Sequence, residues 1–273
     1  MISICMAYFN RKQQLFKTLD SINESSFKDY EVIIVDDGSI DEHMLNMDEL
    51  KKHCSGTIKL FTINRNKKFW YNSCIAYNLA FSSADGDKII IQNPETYHMG
   101  DILSTVENNL NDSNYLTVHT LSVNESTTNE IYTKNNITEV SNYIQPIMNK
   151  TLHIGSNGDI IWYNHRLFRP NHYHFISAIT KNNLYTLGGF DERYKDDHSY
   201  DDDEFILRVS RLKLHLQFIE SPQAIHLYHP IFYVQAPHGS AKNANLYHNT
   251  TRKETTIQLQ ELNFNNYIQY LIC

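Results

Sequence analysis

Four short apolar runs, each ending in a polar cluster and followed by a helical pattern, fix what the first third of this chain can fold into. Ile2 to Met6, Glu31 to Val35, Ile58 to Ile63 and Asp87 to Gln92 are rich in β-branched residues and bounded by polar ones. Between them, Gln13 to Ile22 puts Leu15, Leu19 and Ile22 on one helical face, and Met44 to Lys52 and Asn72 to Ser82 repeat the helical spacing. Strands alternating with helices predict a parallel sheet, with ligands gathered at the carboxyl ends of its strands. Those ends carry Asn10-Arg11, Asp36-Asp37, Asn64-Arg65 and Asn93-Pro94-Glu95. One such cluster is trivial; four at successive strand ends predict a site.

A second acidic feature lies far downstream. Asp201-Asp202-Asp203-Glu204 follows the turn Gly188-Gly189-Phe190-Asp191-Glu192 and precedes the helix-like Phe205-Ile206-Leu207-Arg208-Val209. Adjacent carboxylates repel, so a fold keeps such a run for solvation, for a cation or for proton transfer. A helix that starts there favours the negative charge through its dipole. The apolar strand Ile225-His226-Leu227-Tyr228-His229 comes next. If it is regular, alternation sends the two histidines to opposite faces, so at most one points into a site.

Elsewhere the pattern is weaker. Residues 101–120 read as a further helix and strand, and residues 121–150 as a loop or weak hairpin. The segment Asp159 to His165 is aromatic and carries Trp162, and the tail from Arg252 to Cys273 alternates in a helix-like way and is expected to pack on the outside.

The formal charge of −7 implies no polyanion-binding surface, so nucleic acid is not an expected partner. Cys5, Cys54, Cys74 and Cys273 show neither CxxC nor zinc spacing, and Cys5 and Cys74 are expected to pack as small core residues. The apolar start is ended by Asn10-Arg11-Lys12, far short of the roughly 20 residues of a membrane span, so neither a signal peptide nor a transmembrane segment is predicted and a cytoplasmic location is expected. Triplets such as Asn124-Glu125-Ser126 and Asn136-Ile137-Thr138 arise by chance in so Asn-rich a chain.

Taken in order, the opening Ile2 to Arg11, Val35-Asp36-Asp37-Gly38-Ser39, Ala84-Asp85-Gly86-Asp87 with Ile89-Ile90-Ile91, and the Gly-Gly-Phe-Asp-Glu turn with its acids resemble a nucleotide-sugar glycosyltransferase of the GT-A fold, near the inverting family 2. The carboxy-terminal part resembles galactosyl- and N-acetylgalactosaminyltransferases. The resemblance implies an α/β fold with a Rossmann-like, mostly parallel central sheet flanked by helices. It implies one domain over residues 1–235, with a nucleotide-binding half (1–100) and an acceptor and catalytic half (150–235). A C-terminal helical extension over 236–273 follows.

The implied activity is metal-dependent transfer of a hexosyl or N-acetylhexosaminyl group from a UDP-sugar to a glycan or other hydroxyl-bearing acceptor, inverting the anomeric centre. A retaining transferase and a non-catalytic nucleotide-sugar-binding domain are the alternatives. The chain departs from the family where Asp-x-Asp is usual, since Asn93-Pro94-Glu95 stands there. The resemblance makes Glu95 a ligand for Mn²⁺ or Mg²⁺, with His229 or His226 completing the shell.

Ala7, Tyr8, Arg11, Asp37, Asn72, Asn93 and Pro94 fall where the family meets the nucleotide. Tyr8 is expected to stack on the base, and Asp37 to contact uracil. Asp36 is expected to cap its own turn. Arg65, Lys67 and Lys68 are expected to form a solvated basic loop. Counting back from Arg208, Asp202 is the implied general base and Asp201 an acceptor contact, while Asp203 and Glu204 cap or solvate the helix. Trp162 and Gly189 are assigned to the acceptor side, where an exposed indole makes a platform for a sugar.

Overall fold

The computed structural model describes residues 1–151, 160–230, 239–253 and 261–272. Asp159, the stretch 254–260 of the tail and Cys273 lie outside the described residues.

The predicted alternation is present. Strand β1 (Ile2–Tyr8) leads to α1 (Lys12–Asn23), β2 (Tyr30–Asp36), α2 (Met47–His53), β3 (Thr57–Thr62), α3 (Cys74–Ser82) and β4 (Lys88–Gln92). β1 pairs parallel with β2 and β4, and β2 with β3. There follow β5 (Thr96–Met99), α4 (Ile102–Asn109), β6 (Asn114–Ser122), α5 (Glu125–Tyr132), α6 (Ile137–Met148), β7 (Ile161–Asn164), β8 (Ile176–Thr180), α7 (Lys181–Leu187), α8 (Asp201–Arg211), β9 (His215–His226) and α9 (Ala241–Leu246). Among the described residues the sheet has nine strands in the order β3-β2-β1-β4-β8-β6-β9-β5, with β7 on β6. β8 runs antiparallel to both β4 and β6, and β9 parallel to β6.

Strand alternation splits the core into layers. Ile2, Ile4, Met6 and Tyr8 of β1 face α1 and α4, where Leu15, Leu19, Ile22, Leu103 and Val106 are buried. Cys5 points the other way, to α3, α7 and α8, with Ile75, Leu79, Leu184, Phe205 and Val209. A smaller third cluster, with Tyr97, Leu121, Val140, Ile144, Trp162 and Ile225, covers the far end of the sheet. Cys5, Cys54 and Cys74 are buried and free.

Residues 121–150 are not a hairpin. They form α5 and α6, and the signal lies in their caps. The Asn124 side chain accepts from the Thr127 amide, and Asn136 from the Glu139 amide. Both triplets are thus helix starts, and Val140, Ile144 and Met148 form the buried stripe behind the second.

The described part of the tail forms 3₁₀ turns at Phe264–Asn266 and Ile268–Tyr270. It packs inward: Leu262 and Tyr267 join the α3 core, and the Asn64 amide donates to the Tyr270 carbonyl at 2.7 Å. Among the described residues no helix is long and apolar enough to cross a membrane.

Candidate functional site

The polar strand ends converge. A cleft of about 680 Å³ opens at the carboxyl ends of the parallel strands. Its floor is the β1–α1 turn (Ala7 to Arg11), Asp37 and Gly38 after β2, and Asn93 and Pro94 after β4. Its walls come from Arg65, the segment Lys68 to Ser73, Tyr77 of α3, His174, His198 and Ser199, and the acids Asp201 and Asp202.

Two loops lock each other at the floor. Asn10, with a positive φ of 53°, accepts from the Ile40 amide at 2.9 Å, and its own amide donates to Ser39 Oγ at 3.0 Å. Asp36 accepts from the Ser39 amide at 2.9 Å, closing its own turn as the turn chemistry predicts. Asp37 is buried, with one oxygen taking the Trp70 indole N–H at 2.9 Å and the other the Lys68 ammonium at 2.7 Å. Burial raises its pKa, against the pull of Lys68 and Trp70.

Tyr8 corrects an expectation. Alternation puts its ring on the α1 side, fully buried, where its hydroxyl donates to the His43 carbonyl, so no face is free to stack on a base. The exposed aromatics on the cleft are instead Phe69 and Tyr71. The basic loop is not merely solvated either. Arg65 contacts Asp41, Lys67 the Gln269 carbonyl, and Lys68 Asp37.

Against the cleft lies Glu95, buried, with three partners on one oxygen. Arg11 Nη1 is 2.7 Å from Oε1, His226 Nε2 3.1 Å and His229 Nε2 3.3 Å. Both histidines therefore reach it. The expectation of one fails because β9 ends at His226 and the chain beyond it no longer alternates. Burial works against the Glu95 charge, but Arg11, His229 and His226 outweigh it and hold the carboxyl well below its usual range. Burial likewise depresses the basicity of His226.

Oε2 of Glu95 and Nδ1 of His226 are buried without a hydrogen-bond partner among the described residues. A carboxylate with one orphaned oxygen, grouped with two imidazoles, suits a divalent cation, and one ligand atom from each of the three residues lies within 4.8 Å of the others. Asn93 Oδ1 accepts from the Tyr77 hydroxyl at 3.0 Å.

Across the cleft, α8 presents the acids from its first turn. The preceding residues Ser199 and Tyr200 both have positive φ, 63° and 67°. This unfavourable conformation is pinned by the buried Asn243, whose amide donates to the carbonyls of Tyr194 and Asp197 at 2.9 Å and of Ser199 at 3.0 Å. Asp201 is buried and accepts from Asn72 Nδ2 at 2.8 Å; burial and the neighbouring Asp202 raise its pKa to about 6. Asp202 is in ion-pair contact with His174 Nδ1. Burial disfavours the His174 cation, yet Asp202, Asp201 and Glu95 prevail and raise its pKa.

Asp203 accepts from the Tyr173 hydroxyl at 2.7 Å. Glu204 does not solvate the helix start: it is fully buried and paired with Arg208, which also donates to the Leu187 and Gly189 carbonyls.

Two acceptor-side assignments are also corrected. Trp162 is buried in the third core cluster, its N–H donating to the Thr151 carbonyl, so it offers no platform. Gly189 does not line the cleft. It sits at φ 71°, where a Cβ would meet Asn78 Oδ1 at 2.4 Å, so it serves the turn that supports α8. Trp70 and Tyr77 were not legible as site residues, because their partners lie 33 and 16 positions away in sequence.

Comparison with known proteins agrees with this fold. EpsE of Bacillus subtilis (strain 168), assigned as a glycosyltransferase, is 31% identical over 91 residues, or 33% of this chain and 31% of EpsE. The fold resembles the mannosyltransferase PcManGT from Pyrobaculum calidifontis, solved with GDP-Man and Mn²⁺, at TM-score 0.52 and 15% identity, over 85% of this chain and 58% of that one. It also resembles S. aureus TarS 1-349 in complex with UDP-GlcNAc, at TM-score 0.58 and 12% identity, over 88% and 60% of the two chains. The chain thus spans under a third of EpsE and about three fifths of these two structures. The architecture is the GT-A glycosyltransferase fold. Residues 3–210 match the family described as glycosyl transferase family 2, and the chain belongs to that family.

Proposed function

We propose that this glycosyltransferase moves a sugar from a UDP-sugar to a hydroxyl-bearing acceptor such as a glycan, with inversion, using Asp202 as general base and a divalent cation, Mn²⁺ or Mg²⁺. One observation carries the reading: Asp202 lines the same cleft as the strand-end residues Ala7, Arg11, Asp37, Asn72, Asn93 and Pro94, beside the Glu95 cluster. TarS in complex with UDP-GlcNAc and PcManGT with Mn²⁺ favour such a donor and such a metal here.

In this reading residues 1–100 hold the nucleotide, and residues 150–235 bring the acceptor and the base. Asp37, fixed by Trp70 and Lys68, meets the base. Asn72 and Asn93 meet the ribose and the sugar. Glu95, His226 and His229 hold the cation, which when bound supplies positive charge near the departing diphosphate. Asp202 takes the proton of the acceptor hydroxyl, because a neutral alcohol is a poor nucleophile. The acceptor oxygen bonds to the anomeric carbon as that carbon's bond to the diphosphate breaks. The electron pair leaves with UDP. Asp201, held by Asn72, contacts an acceptor hydroxyl.

The test is UDP release from UDP-glucose, UDP-galactose and their N-acetylamino counterparts, with and without Mn²⁺, followed by NMR of the product's anomeric proton. Metal-stimulated release and a β-product from an α-donor are expected. An α-product overturns inversion, and binding of UDP without turnover of any donor overturns this donor class.

A further inference from the structure

Asp202 has a partner that the chemistry above does not use. His174 immediately precedes β8 by two residues, and its ring stands edge-on to Tyr77 and Phe190, with centroids 5.1 and 4.9 Å away. Those contacts hold the ring plane. Nδ1 lies against Oδ1 of Asp202. That oxygen is buried, although the Asp202 side chain as a whole is 28% exposed and lines the cleft. The exposed part of the side chain therefore lies away from His174. The rings of Tyr77 and Phe190 set its plane, and the contact with Asp202 is its polar one among the described residues.

We propose that His174 is the positioning residue of the base: clamped between Tyr77 and Phe190, its Nδ1 holds Oδ1 of Asp202, so that Oδ2 is the oxygen that meets the acceptor hydroxyl. This rests on Asp202 as the base. A carboxylate held at one oxygen loses rotational freedom before the acceptor arrives, which is what a positioned base requires. Asp202 and Asp201 in turn favour the charged imidazole against its burial, so the contact is one between opposite charges. The titratable groups facing the ring are Asp201 and Asp202 from α8, Glu95 from the turn after β4, and the Tyr77 phenol from α3.

The test uses the full chain with Mn²⁺, the four UDP-sugars above and water or methyl glycosides as acceptors, followed from pH 5 to 9. His174→Phe keeps a ring but has no donor. His174→Asn places an amide N–H near the Nδ1 position but never carries charge. His174→Phe is expected to lower the plateau kcat about ten- to a hundred-fold, the usual worth of a supporting contact behind a reactive group. UDP affinity by calorimetry is expected to stay within about twofold. His174→Asn is expected to recover most of the plateau, with its acid limb displaced to higher pH because the neighbouring cation is gone. Wild-type plateau and acid limb in both variants, with Asp202→Asn inactive, would overturn the role of His174 while leaving the base in place. An active Asp202→Asn would instead remove the base on which the role rests. Should His174→Phe fail to fold, the acid limb of His174→Asn decides, and an unmoved limb overturns the proposal.

Discussion

Arg11 Nη1 sits 2.7 Å from Oε1 of Glu95, and the other carboxylate oxygen is buried with no hydrogen-bond partner among the described residues. The guanidinium neutralises one side of Glu95 and leaves the other for a cation. Since Asn93 supplies no charge, Glu95 is the one acid of the Asn-Pro-Glu motif. Glu95→Gln is therefore expected to weaken Mn²⁺ binding in the presence of UDP by about tenfold or more in calorimetry. Asn93→Asp is expected to keep or strengthen it. Unchanged metal dependence and turnover in Glu95→Gln would move the metal elsewhere.

Glu204 and Arg208 form a buried i,i+4 pair, and Arg208 reaches on to the Leu187 and Gly189 carbonyls. Removing one partner strands a buried charge, so Glu204→Gln is expected to cost about 3–5 kcal/mol in urea unfolding. UDP binding to the folded fraction is expected to persist. A loss below about 1 kcal/mol would mean that the pair is solvated.

Trp162 belongs to the core, so its truncation is a stability defect. Trp162→Ala is expected to cost about 3–5 kcal/mol. Trp162→Phe is expected to leave the acceptor KM within about twofold in steady-state kinetics. A large rise in that KM with unchanged stability would restore the sugar platform.

The raised pKa of Asp201, about 6 against about 3.9 unfolded, fixes a sign. Between those values the folded chain keeps a proton that the unfolded chain has lost. The stability that Asp201 contributes is thus full below about pH 4 and is lost as pH rises through 6. Asp201→Asn removes this penalty, so its Tm relative to wild type is expected to climb from pH 4 to pH 7. Parallel Tm profiles would contradict the raised value.

The strands and helices of the first half were legible because apolar period and strand-end polarity are local signals, and Asp36, Asp37 and Asn93 were found the same way. The acids of α8 were legible as a run. What the sequence hid depends on direction or on distance. Tyr8 lies in the right loop, but alternation turns its ring into the core. Trp162 resembles a platform until its N–H is seen to donate to Thr151. His226 and His229 converge because β9 stops at the first of them. α5 and α6 were missed because their evidence was two asparagine caps, which also fit chance triplets. Trp70 gained a role only through Asp37, distant in sequence.

The most direct measurement is UDP release by Asp202→Asn, set beside its binding of UDP and Mn²⁺. The amide keeps the shape of the side chain but accepts no proton at neutral pH. Turnover is expected to fall by about a hundred- to ten-thousand-fold, with calorimetric affinity for UDP and Mn²⁺ near wild type. Asp203→Asn, whose amide oxygen can still accept from the Tyr173 hydroxyl, is expected to keep its activity. Wild-type turnover in Asp202→Asn, or an inert Asp202 beside an essential Asp203, would contradict the account.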